Sequence, residues 1–366
     1  MKKTTFTRRQ ALAGLGSLAV AAPLIPYQSP TLTPTLDPEP PGRITPRNEL
    51  VNVLEFESMA ERKLAPPVYA AIAGSDRSFF ERITFRPRMM APTVHLDLSL
   101  PLFGEKMFAP IMVGPLAKMQ DYHPDGEIGV VRAASAAKAW MVVSSESSVP
   151  VEKIAAESKT VLWYQVFLEG DTSSLRVKID QAVKAGCKAI CITVGVPFRN
   201  TEAKIGPAKL AAISPAALNW GVIDQLRKGI NVPFLIKGIL TPEEADAAIR
   251  RGVQGIVVSN YGGLLTPGTA PPMEMLPSIA KAVAGRIPVL IDGSFRRGSD
   301  IFKALAFGAT AVMIGRPIAW GLAAYGQEGA QQVLEMLQTE VGRDMAQTGK
   351  VTLKDIDGSV VKLHEV

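Results

Sequence analysis

The sequence predicts an α/β protein, a (β/α)8 TIM barrel with a short helical N-terminal extension. Two observations favour this fold class. Eight short apolar runs of strand length alternate with segments of helical periodicity, which is typical of buried parallel strands covered by helices. No GxGxxG fingerprint follows an early strand, which disfavours an open dinucleotide-binding sheet. Eight alternating units therefore indicate a closed barrel more readily than a doubly wound sheet.

Strand and helix positions follow from the apolar periodicity. The predicted strands are Ile111–Val113, Met141–Val143, Leu162–Val166, Ala189–Val194, Phe234–Ile236, Gly255–Val258, Val289–Ile291 and Ala311–Ile314. The helical segments between them include Glu127–Lys138, Leu175–Ala185, Pro242–Arg251, Met275–Ala284 and Ile301–Phe307. One barrel domain, residues 49–366, contains all of these elements. Its N-terminal extension is predicted to hold the helices Val51–Lys63 and Pro66–Ala73.

The first 26 residues predict an export signal. Arg8 and Arg9 precede a weakly apolar stretch, Ala11–Ala22, which is too short to span a bilayer comfortably. The tripeptide Ala19-Val20-Ala21 resembles a small-residue cleavage site. Paired arginines in this position resemble a twin-arginine signal, which implies a periplasmic or secreted protein; a basic amphipathic start is the alternative. No cysteine follows the stretch, so no stable membrane anchor is expected.

Residues 27–48 predict an extended linker. They contain few apolar residues and prolines at positions 30, 34, 38, 40, 41 and 46. Such a composition cannot bury enough apolar surface to form a core.

Composition excludes some classes of function. The 366 residues are 47% hydrophobic and carry a formal charge of +6, with basic and acidic residues mixed along most of the chain. No basic stripe interleaved with aromatic residues is present, so nucleic-acid binding is not expected. The two cysteines, Cys187 and Cys191, lie about 13 Å apart if they share a strand, which is too far for a disulfide. We predict that both are small buried residues, and we expect no metal site.

The stretch Ile287–Pro317 carries the strongest chemical signal. It reads strand, basic glycine loop, helix, strand and basic glycine loop, with Ser299 placed to cap the helix. Two strand ends of this kind bring backbone N–H groups and guanidinium groups around one anion, most simply a phosphate. The loops after the seventh and eighth strands of such barrels commonly form a phosphate site. Two ordinary turns with solvated arginines are the alternative.

Several motifs then resemble one enzyme family. They are Phe85-Arg86-Pro87-Arg88, Ala133-Ala134-Ser135-Ala136-Ala137, Ser259-Asn260, Ile291-Asp292-Gly293 with Arg296-Arg297-Gly298, Phe302-Lys303-Ala304-Leu305 and Ile314-Gly315-Arg316-Pro317. Together they resemble the FMN-dependent 2-hydroxy acid oxidases and dehydrogenases, such as glycolate oxidase and lactate oxidase. The resemblance runs from about Asn52 to Ile356. It implies an FMN-dependent oxidoreductase with a small-molecule substrate and an unidentified electron acceptor. Members are often tetramers, so it also implies a homotetramer.

The resemblance assigns the flavin to the C-terminal mouth of the barrel. Lys237 would place a cation near N1 of the ring, where it stabilises the negative charge of the reduced flavin. The alternative for Lys237 is a lysine at the barrel mouth that pairs with a carboxylate. The alternative for Gln165 and Thr193 is ordinary capping of strand ends. The implied cofactor-binding set is Pro115, Leu116, Ala117, Ser144, Gln165, Thr193, Lys237, Ser259, Asp292, Gly293, Ser294, Arg296, Gly315 and Arg316.

The substrate side departs from the family pattern. The family motif SNHGGR supplies a catalytic histidine and a carboxylate-binding arginine, and here Tyr261 and Leu264 replace them. A phenol is mostly protonated at neutral pH, so it accepts protons poorly. The other changed positions are Ala71, Phe167, Gly195 and Thr201; Arg199 lies near the last of these.

These changes predict an altered substrate. Each lost charge-assisted bond to a substrate carboxylate is worth about 1.5–3 kcal/mol. We therefore expect that the substrate is not a simple 2-hydroxy acid. The implied catalytic residues are Tyr261 and Lys237, and the implied substrate-binding residues are Phe167, Arg199, Tyr261 and Leu264. His123 precedes a helix start, where it is expected to cap or pack rather than act as a base. The alternative is an exported non-catalytic or electron-transfer flavoprotein; a barrel that binds another phosphate compound is a third.

Overall fold

Eight parallel strands close into a barrel in the computed structural model of the protein. The structure describes residues 43–74, 76–88, 90–91, 93–168, 172–194, 220–261 and 270–365. The strands pair in chain order, and the eighth closes on the first through the register Val312↔Ile111. They are β1 Ile111–Val113, β2 Trp140–Ser144, β3 Leu162–Phe167, β4 Ile190–Thr193, β5 Phe234–Ile239, β6 Gly255–Val258, β7 Val289–Ile291 and β8 Ala311–Ile314. The predicted fold class and its eight strands are confirmed.

Helices surround the barrel. They are α1 Val53–Lys63, α2 Pro66–Ala70, α3 Ser78–Glu81, α4 Gly126–Ala136, α5 Val151–Glu157, α6 Thr172–Lys184, α7 Trp220–Arg227, α8 Pro242–Arg250, α9 Pro272–Val283, α10 Gly298–Ala306 and α11 Arg316–Thr348. Helix α11 is kinked, because Tyr325 and Gly326 have non-helical backbone angles. Short 3-10 turns cover Arg47–Glu49, Met119–Asp121, Leu353–Asp355 and Gly358–Val360. Within the described part of the chain, no helix is both long and apolar enough to cross a membrane.

Two compact units divide the chain at Val51, and the second, Asn52–Val366, contains the barrel. In the first unit, Arg43 Nη2 lies 3.5 Å from Glu49 Oε2. In the second, Asn52 caps α1 by accepting a hydrogen bond from the Leu54 N–H at 2.9 Å. Two antiparallel pairs lie outside the barrel: Ile83–Phe85 with Val361–Leu363, and Leu100–Leu102 with Glu105–Met107.

The barrel interior is a layered apolar core. Inward-facing side chains alternate with outward ones along each strand, as the period of two requires. Leu102 and Met107 of the hairpin Leu100–Met107 join this core beside Trp140, the first residue of β2. The hairpin therefore closes the N-terminal end of the barrel. The core residues that face inward from the strands, or from the residue just before a strand, are Met112, Trp140, Val142, Trp163, Ala189, Cys191, Leu235, Val257, Leu290, Ala311 and Met313.

The cap of α10 differs from the prediction. Ser299 was expected to cap this helix, but the helix begins two residues earlier, at Gly298, and Arg297 occupies the N-cap position. The carboxylate of Asp300 accepts hydrogen bonds from the N–H groups of Arg296 and Arg297, at 2.8 and 2.9 Å. The prediction of Ser299 is wrong because a carboxylate satisfies more of the free N–H groups at a helix start than one hydroxyl does.

Close contact between α10 and α11 depends on Gly298. A Cβ atom at this position would lie 2.3 Å from Cβ of Glu340 and 2.6 Å from the backbone nitrogen of Val341. No larger residue fits without moving one of the helices. The start of α10, which follows the basic loop, is therefore set against α11.

Asp344 is a buried carboxylate on α11, with 3% of its surface exposed. One oxygen lies 3.6 Å from Nε of Arg343, and Oδ2 has no hydrogen-bond partner in the described part of the chain. Burial raises the pKa of Asp344 from 3.8 to about 6; the Arg343 charge opposes this shift, and the Glu340 charge reinforces it. The folded state thus binds this proton more tightly than the unfolded chain does.

We expect Asp344→Asn to stabilise the protein in a pH-dependent way. The free energy of unfolding falls as pH rises from the unfolded pKa towards about 6, and above that the whole penalty is present. The amide should raise the melting temperature at about pH 7.5 more than at about pH 4.5, by roughly 1–2 °C for each kcal/mol recovered in a barrel of this size. Thermal denaturation at the two pH values measures this. Glu61→Gln, at an exposed carboxylate of α1, is the control, and equal rises at both pH values would contradict the assignment.

Candidate functional site

A polar layer continues the inward register at the C-terminal end of the barrel. The residue two positions beyond the last apolar inward residue is polar on six neighbouring strands. Because the period is two, these side chains face the barrel axis. Glycine occupies the matching position after β1 and β8, at Gly114 and Gly315. The six polar residues are Ser144, Gln165, Thr193, Lys237, Ser259 and Asp292.

Three of these residues form a hydrogen-bonded row. Ser144 Oγ donates to Gln165 Oε1 at 3.1 Å, and Gln165 Nε2 donates to Thr193 Oγ1 at 2.9 Å. Strand pairing places Ser144 directly beside Gln165. All three side chains are buried. These two hydrogen bonds orient the Gln165 amide with its oxygen towards Ser144. The three side chains are thereby held in one arrangement.

Lys237 lies at the centre of the layer and is 3% exposed. Its Nζ donates to Ser259 Oγ at 2.8 Å and lies 2.9 Å from Asp292 Oδ2. A buried ammonium is tolerated because these two groups compensate its charge and its donors. Asp292 Oδ1 is buried and has no hydrogen-bond partner among the described residues.

Tyr261 lies beside this pair. Its N–H donates to Ser259 Oγ at 3.1 Å, so one serine oxygen accepts from both Lys237 and Tyr261. Its ring meets the Phe167 ring edge to face, with centroids 5.5 Å apart, and its centroid lies 5.6 Å from Lys237 Nζ. Its φ of 55° is in the left-handed region. Backbone and ring contacts together hold the phenol at the polar layer.

Two neighbours of the site stay protonated. Burial raises the pKa of Tyr122, and the charges of Asp121 and Tyr261 add to that rise. Burial raises the pKa of Cys191 to about 12, partly offset by the Lys237 charge. The Cys191 thiol is therefore no nucleophile at neutral pH. Cys187 and Cys191 are both buried and unbridged, as predicted.

The basic loops bring two arginines together. Arg296 Nη2 and Arg316 Nη1 both donate to the carbonyl oxygen of Gly74, at 3.1 and 2.7 Å. The Arg296 guanidinium also lies over the Trp320 ring, 4.4 Å from its centroid, and Arg296 Nε is buried without a partner in the described chain. Burial, and next the Arg316 charge, lower the pKa of Arg296 to about 9, which leaves it charged at neutral pH.

The start of α10 is not free to bind an anion. Asp300 accepts from the N–H groups of Arg296 and Arg297, and Glu340 Oε2 accepts from the Gly298 N–H at 2.6 Å. Glu340 also pairs with the Arg297 guanidinium at 2.8 Å. Two carboxylates thus compensate the positive end of the helix. The N–H groups of Arg296, Arg297 and Gly298 therefore already have carboxylates of the protein as acceptors.

The loops after β1 and β8 lie close together. The Gly114 N–H donates to the carbonyl of Ile314 at 2.8 Å, and a Cβ at Gly315 would meet only Leu116 Cδ2, at 3.7 Å. Pro115, Leu116 and Ala117 are half-buried. Gly293 and Ser294 after β7 both have left-handed backbones, with φ of 104° and 61°.

None of the three histidines belongs to this site. His123 accepts a hydrogen bond from the Asp125 N–H at 3.2 Å and packs against the Gly326 kink of α11, which agrees with the predicted packing role. His364 bonds Thr84 at 2.8 Å in the peripheral strand pair. His95 precedes the hairpin at the other end of the barrel. All three lie in the described part of the chain, so the polar layer contains no imidazole.

Several predicted positions fall outside the described residues. These are Arg199 and Leu264 on the substrate side, the changed positions Gly195 and Thr201, and the whole predicted signal, residues 1–26. In the described part of the chain, no group of three His, Cys, Asp or Glu residues has metal-binding geometry. A cavity of about 990 Å³ lies at the opposite end of the barrel, lined by Met107, Trp140 and Val161, and it is remote from this chemistry.

Sequence reasoning missed the residues that support the basic loops. Arg77, Asp300, Glu340 and Trp320 contact Arg296 or its neighbours, and Gly74 accepts from both arginines. Of these residues, only Asp300 could have been found from the sequence, because an acidic residue at the third position of a helix fits a capping pattern. The others come from distant parts of the chain.

The arrangement fits FMN by its donor and acceptor set. Two guanidinium groups converge on one carbonyl, and no carboxylate of the described residues is bonded to either, which suits a dianionic phosphate. The unpartnered Asp292 Oδ1 suits a ribityl hydroxyl group. The Gln165 row and the Lys237 cation suit the polar edge of a flavin ring.

Comparison with known proteins gives the same result. A sequence profile of the FMN-dependent dehydrogenase family matches residues 71–206 and 199–363. The chain is 36% identical to the peroxisomal (S)-2-hydroxyacid oxidase GLO3 of Arabidopsis thaliana, over 86% of this chain and 97% of that protein. It is 34% identical to the L-lactate oxidase of a Nostoc species, over 86% and 98%.

Solved structures agree. The crystal structure of mandelate oxidase matches with a TM-score of 0.77 and 33% identity, over 87% of this chain and all of that one. The residues matched by the family profile include the barrel strands, the polar layer and both basic loops. The chain therefore belongs to the family of FMN-dependent dehydrogenases and is an FMN-dependent oxidoreductase.

Proposed function

We propose that this protein is an exported FMN oxidoreductase whose substrate is a small molecule other than a simple 2-hydroxy acid. One observation carries the proposal. The position of the family's catalytic histidine holds Tyr261, which is fixed beside Lys237 and Phe167 at the polar layer, and no imidazole is present there. A phenol in this position donates a hydrogen bond and accepts a proton poorly.

The cofactor-holding residues are proposed from their contacts. FMN supplies two-electron redox chemistry when bound. Arg296 and Arg316 would hold its phosphate, Asp292 its ribityl chain, and Ser144, Gln165, Thr193 and Ser259 the edge of the ring. The backbones of Gly293, Ser294 and Gly315 would line the tail, and those of Pro115, Leu116 and Ala117 would face the ring.

Lys237 and Tyr261 are proposed to have different roles near the reacting atoms: Lys237 acts on the flavin and Tyr261 on the substrate. The Lys237 ammonium is held in a dry environment by Asp292 and Ser259, so its charge acts more strongly than it would in water. It would stabilise negative charge on the neighbouring ring edge. Tyr261 would orient a substrate oxygen by donating its hydroxyl proton, and the edge of Phe167 limits the ring's rotation.

The changed residues favour a substrate without a carboxylate. Leu264 replaces one arginine that grips the carboxylate in the family, and Ala71 replaces a tyrosine. An apolar lining with one phenolic donor suits a neutral alcohol-type or amine-type substrate better than an anion. Arg199 is proposed as a substrate contact because it lies near the position of the second lost arginine.

A second function also has an observation in its favour. The absence of an imidazole at the polar layer suits a flavoprotein that transfers electrons to a partner, or that only binds FMN, because neither role needs a base. The two functions share the FMN site and differ only in substrate turnover.

Anaerobic titration separates these functions. We expect purified protein to show yellow flavin absorbance that lactate, glycolate and mandelate do not bleach rapidly, because no base is available to take the proton. Photoreduction serves as the control that the flavin is reducible. Rapid bleaching by any of the three acids would overturn the altered-substrate proposal. If neutral alcohols and amines also fail while photoreduction succeeds, the electron-transfer function is supported.

Restoring the family residues should restore some hydroxy-acid turnover. We expect the double variant Tyr261→His with Leu264→Arg to oxidise lactate or mandelate at least about tenfold faster than the wild type, since one positioned base alone contributes about 10²–10⁴-fold. Stopped-flow reduction of the flavin measures the rate. Tyr261→Phe is the matched control, because it removes the hydroxyl group without adding a base. A double variant as slow as this control would show that Gly195 and Ala71 matter as much.

Export is proposed from the paired arginines and the short apolar stretch in residues 1–26. A route that carries folded proteins suits a barrel that binds FMN before it leaves the cytoplasm. We expect the full chain expressed in a bacterial host to be found processed in the periplasm. Replacing Arg8 and Arg9 by lysine should keep the unprocessed chain in the cytoplasm. Processing that is unchanged by this replacement would argue against the twin-arginine route.

A further inference from the structure

We infer that Arg77 and Asp300 form a clamp that positions the phosphate loop, Asp292–Arg297, so that Arg296 faces the FMN phosphate. The inference rests on the proposed function, which assigns Arg296 and Arg316 to that phosphate. Neither Arg77 nor Asp300 needs to touch the cofactor in this role. Both act through the loop backbone.

Arg77 and Asp300 make a two-point ion pair. Arg77 Nη1 lies 2.6 Å from Asp300 Oδ2, and Nη2 lies 3.0 Å from Oδ1. Asp300 is 1% exposed, so water does not compete for the carboxylate. Side-by-side bonds between a guanidinium and a carboxylate fix distance and orientation together. The pair is therefore a rigid joint rather than a mobile surface contact.

The clamp grips the loop backbone at both ends. Arg77 Nη1 donates to the Ser294 carbonyl at 3.1 Å. Asp300 Oδ2 accepts from the N–H groups of Arg296 and Arg297, at 2.8 and 2.9 Å. One ion pair thus holds three backbone groups within four consecutive residues. The residue between the held groups is Phe295, whose ring packs edge to face against Phe80 at 5.1 Å.

The gripped backbone needs such support. Gly293 and Ser294 have φ of 104° and 61°. A left-handed backbone is sterically unfavourable for a residue with a Cβ atom, so Ser294 keeps it only where its surroundings enforce it. The bond from Arg77 falls on the carbonyl of that same residue. Without it, the loop loses the contact that opposes its relaxation.

The clamp also decides what the phosphate meets. Asp300 compensates the start of α10, so the helix end offers little attraction to an anion. Arg77 is compensated by Asp300, so it adds little net charge. Arg296 and Arg316 both donate to the carbonyl of Gly74, and neither guanidinium is bonded to a carboxylate of the described residues. Phosphate binding therefore depends on where the loop places Arg296.

Comparing FMN with riboflavin tests the clamp, because riboflavin has the same ring and ribityl chain but no phosphate. Holoenzyme is stripped by dialysis, and fluorescence titration gives Kd for each flavin in the wild type and the variants. We expect Arg77→Ala to raise the Kd for FMN at least about tenfold, which is about 1.4 kcal/mol. The Kd for riboflavin should change less than about threefold. Asp300→Asn should act in the same direction. Arg316→Ala sets the scale of a lost phosphate ligand.

Arg82→Ala is the matched control. This arginine lies five residues from Arg77, over the Phe79 ring at 5.3 Å, and does not touch the loop. It should leave both flavin affinities unchanged. If Arg77→Ala does not yield folded protein, Arg77→Lys is used instead, and its loss of FMN affinity is compared with its loss of riboflavin affinity. Lysine keeps the charge but cannot make the two-point contact.

Equal weakening of both flavins by Arg77→Ala and Arg77→Lys would overturn the clamp and leave a purely structural ion pair. Unchanged affinity for both would overturn it as well. If the wild type binds FMN no more tightly than riboflavin, and Arg316→Ala changes neither affinity, the proposed phosphate site itself is refuted. The wild type and Arg316→Ala thus test the proposed site, whereas the Arg77 variants test the clamp.

Discussion

Closure of the eight-stranded barrel is the constraint on which the rest of the structure depends. Closure leaves one set of side chains facing the axis, and the period of two fixes which residues these are. The apolar members fill the interior up to Val142, Cys191, Leu235 and Leu290. The next inward position lies above that core, at the C-terminal ends of the strands. Polar residues at these positions therefore form the site without any loop having to deliver them.

Charge compensation then determines what each end of the site can hold. At the reacting end, Lys237 is matched by Asp292 and Ser259, so one cation is retained in a dry layer. At the tail end, Asp300 and Glu340 satisfy the start of α10, and two arginines are left to face an anion. A dianionic tail and an electron-accepting ring suit this distribution. At the reacting end Tyr261 lies beside Lys237 and Phe167, and the polar layer of the described residues contains no imidazole.

Particular residues show how far the sequence could be followed. The bounds of four barrel strands, including Gly255–Val258 and Ala311–Ile314, agree with the apolar runs, because fully buried strands are continuous in sequence. Arg316 was predicted from the basic glycine loop that follows the last strand, and Lys237 from the family resemblance. Ser299 was mistaken for the helix cap because hydroxyls favour that position in general, whereas Asp300 satisfies two N–H groups here. Arg77 and Gly74 were not found, since they lie more than 200 positions from their partners Asp300 and Arg316.

The sequence by itself determined the barrel and the order of its strands, because local periodicity encodes both. The polar residues at the strand ends came from the family resemblance, which rests on residue types and their order in the chain. Only the tertiary structure decided that the helix start is occupied by carboxylates, that Arg296 and Arg316 share one carbonyl, and that the Tyr261 ring meets the Phe167 ring edge to face. These depend on contacts between distant segments, and no local pattern records the distance between side chains that the fold brings together.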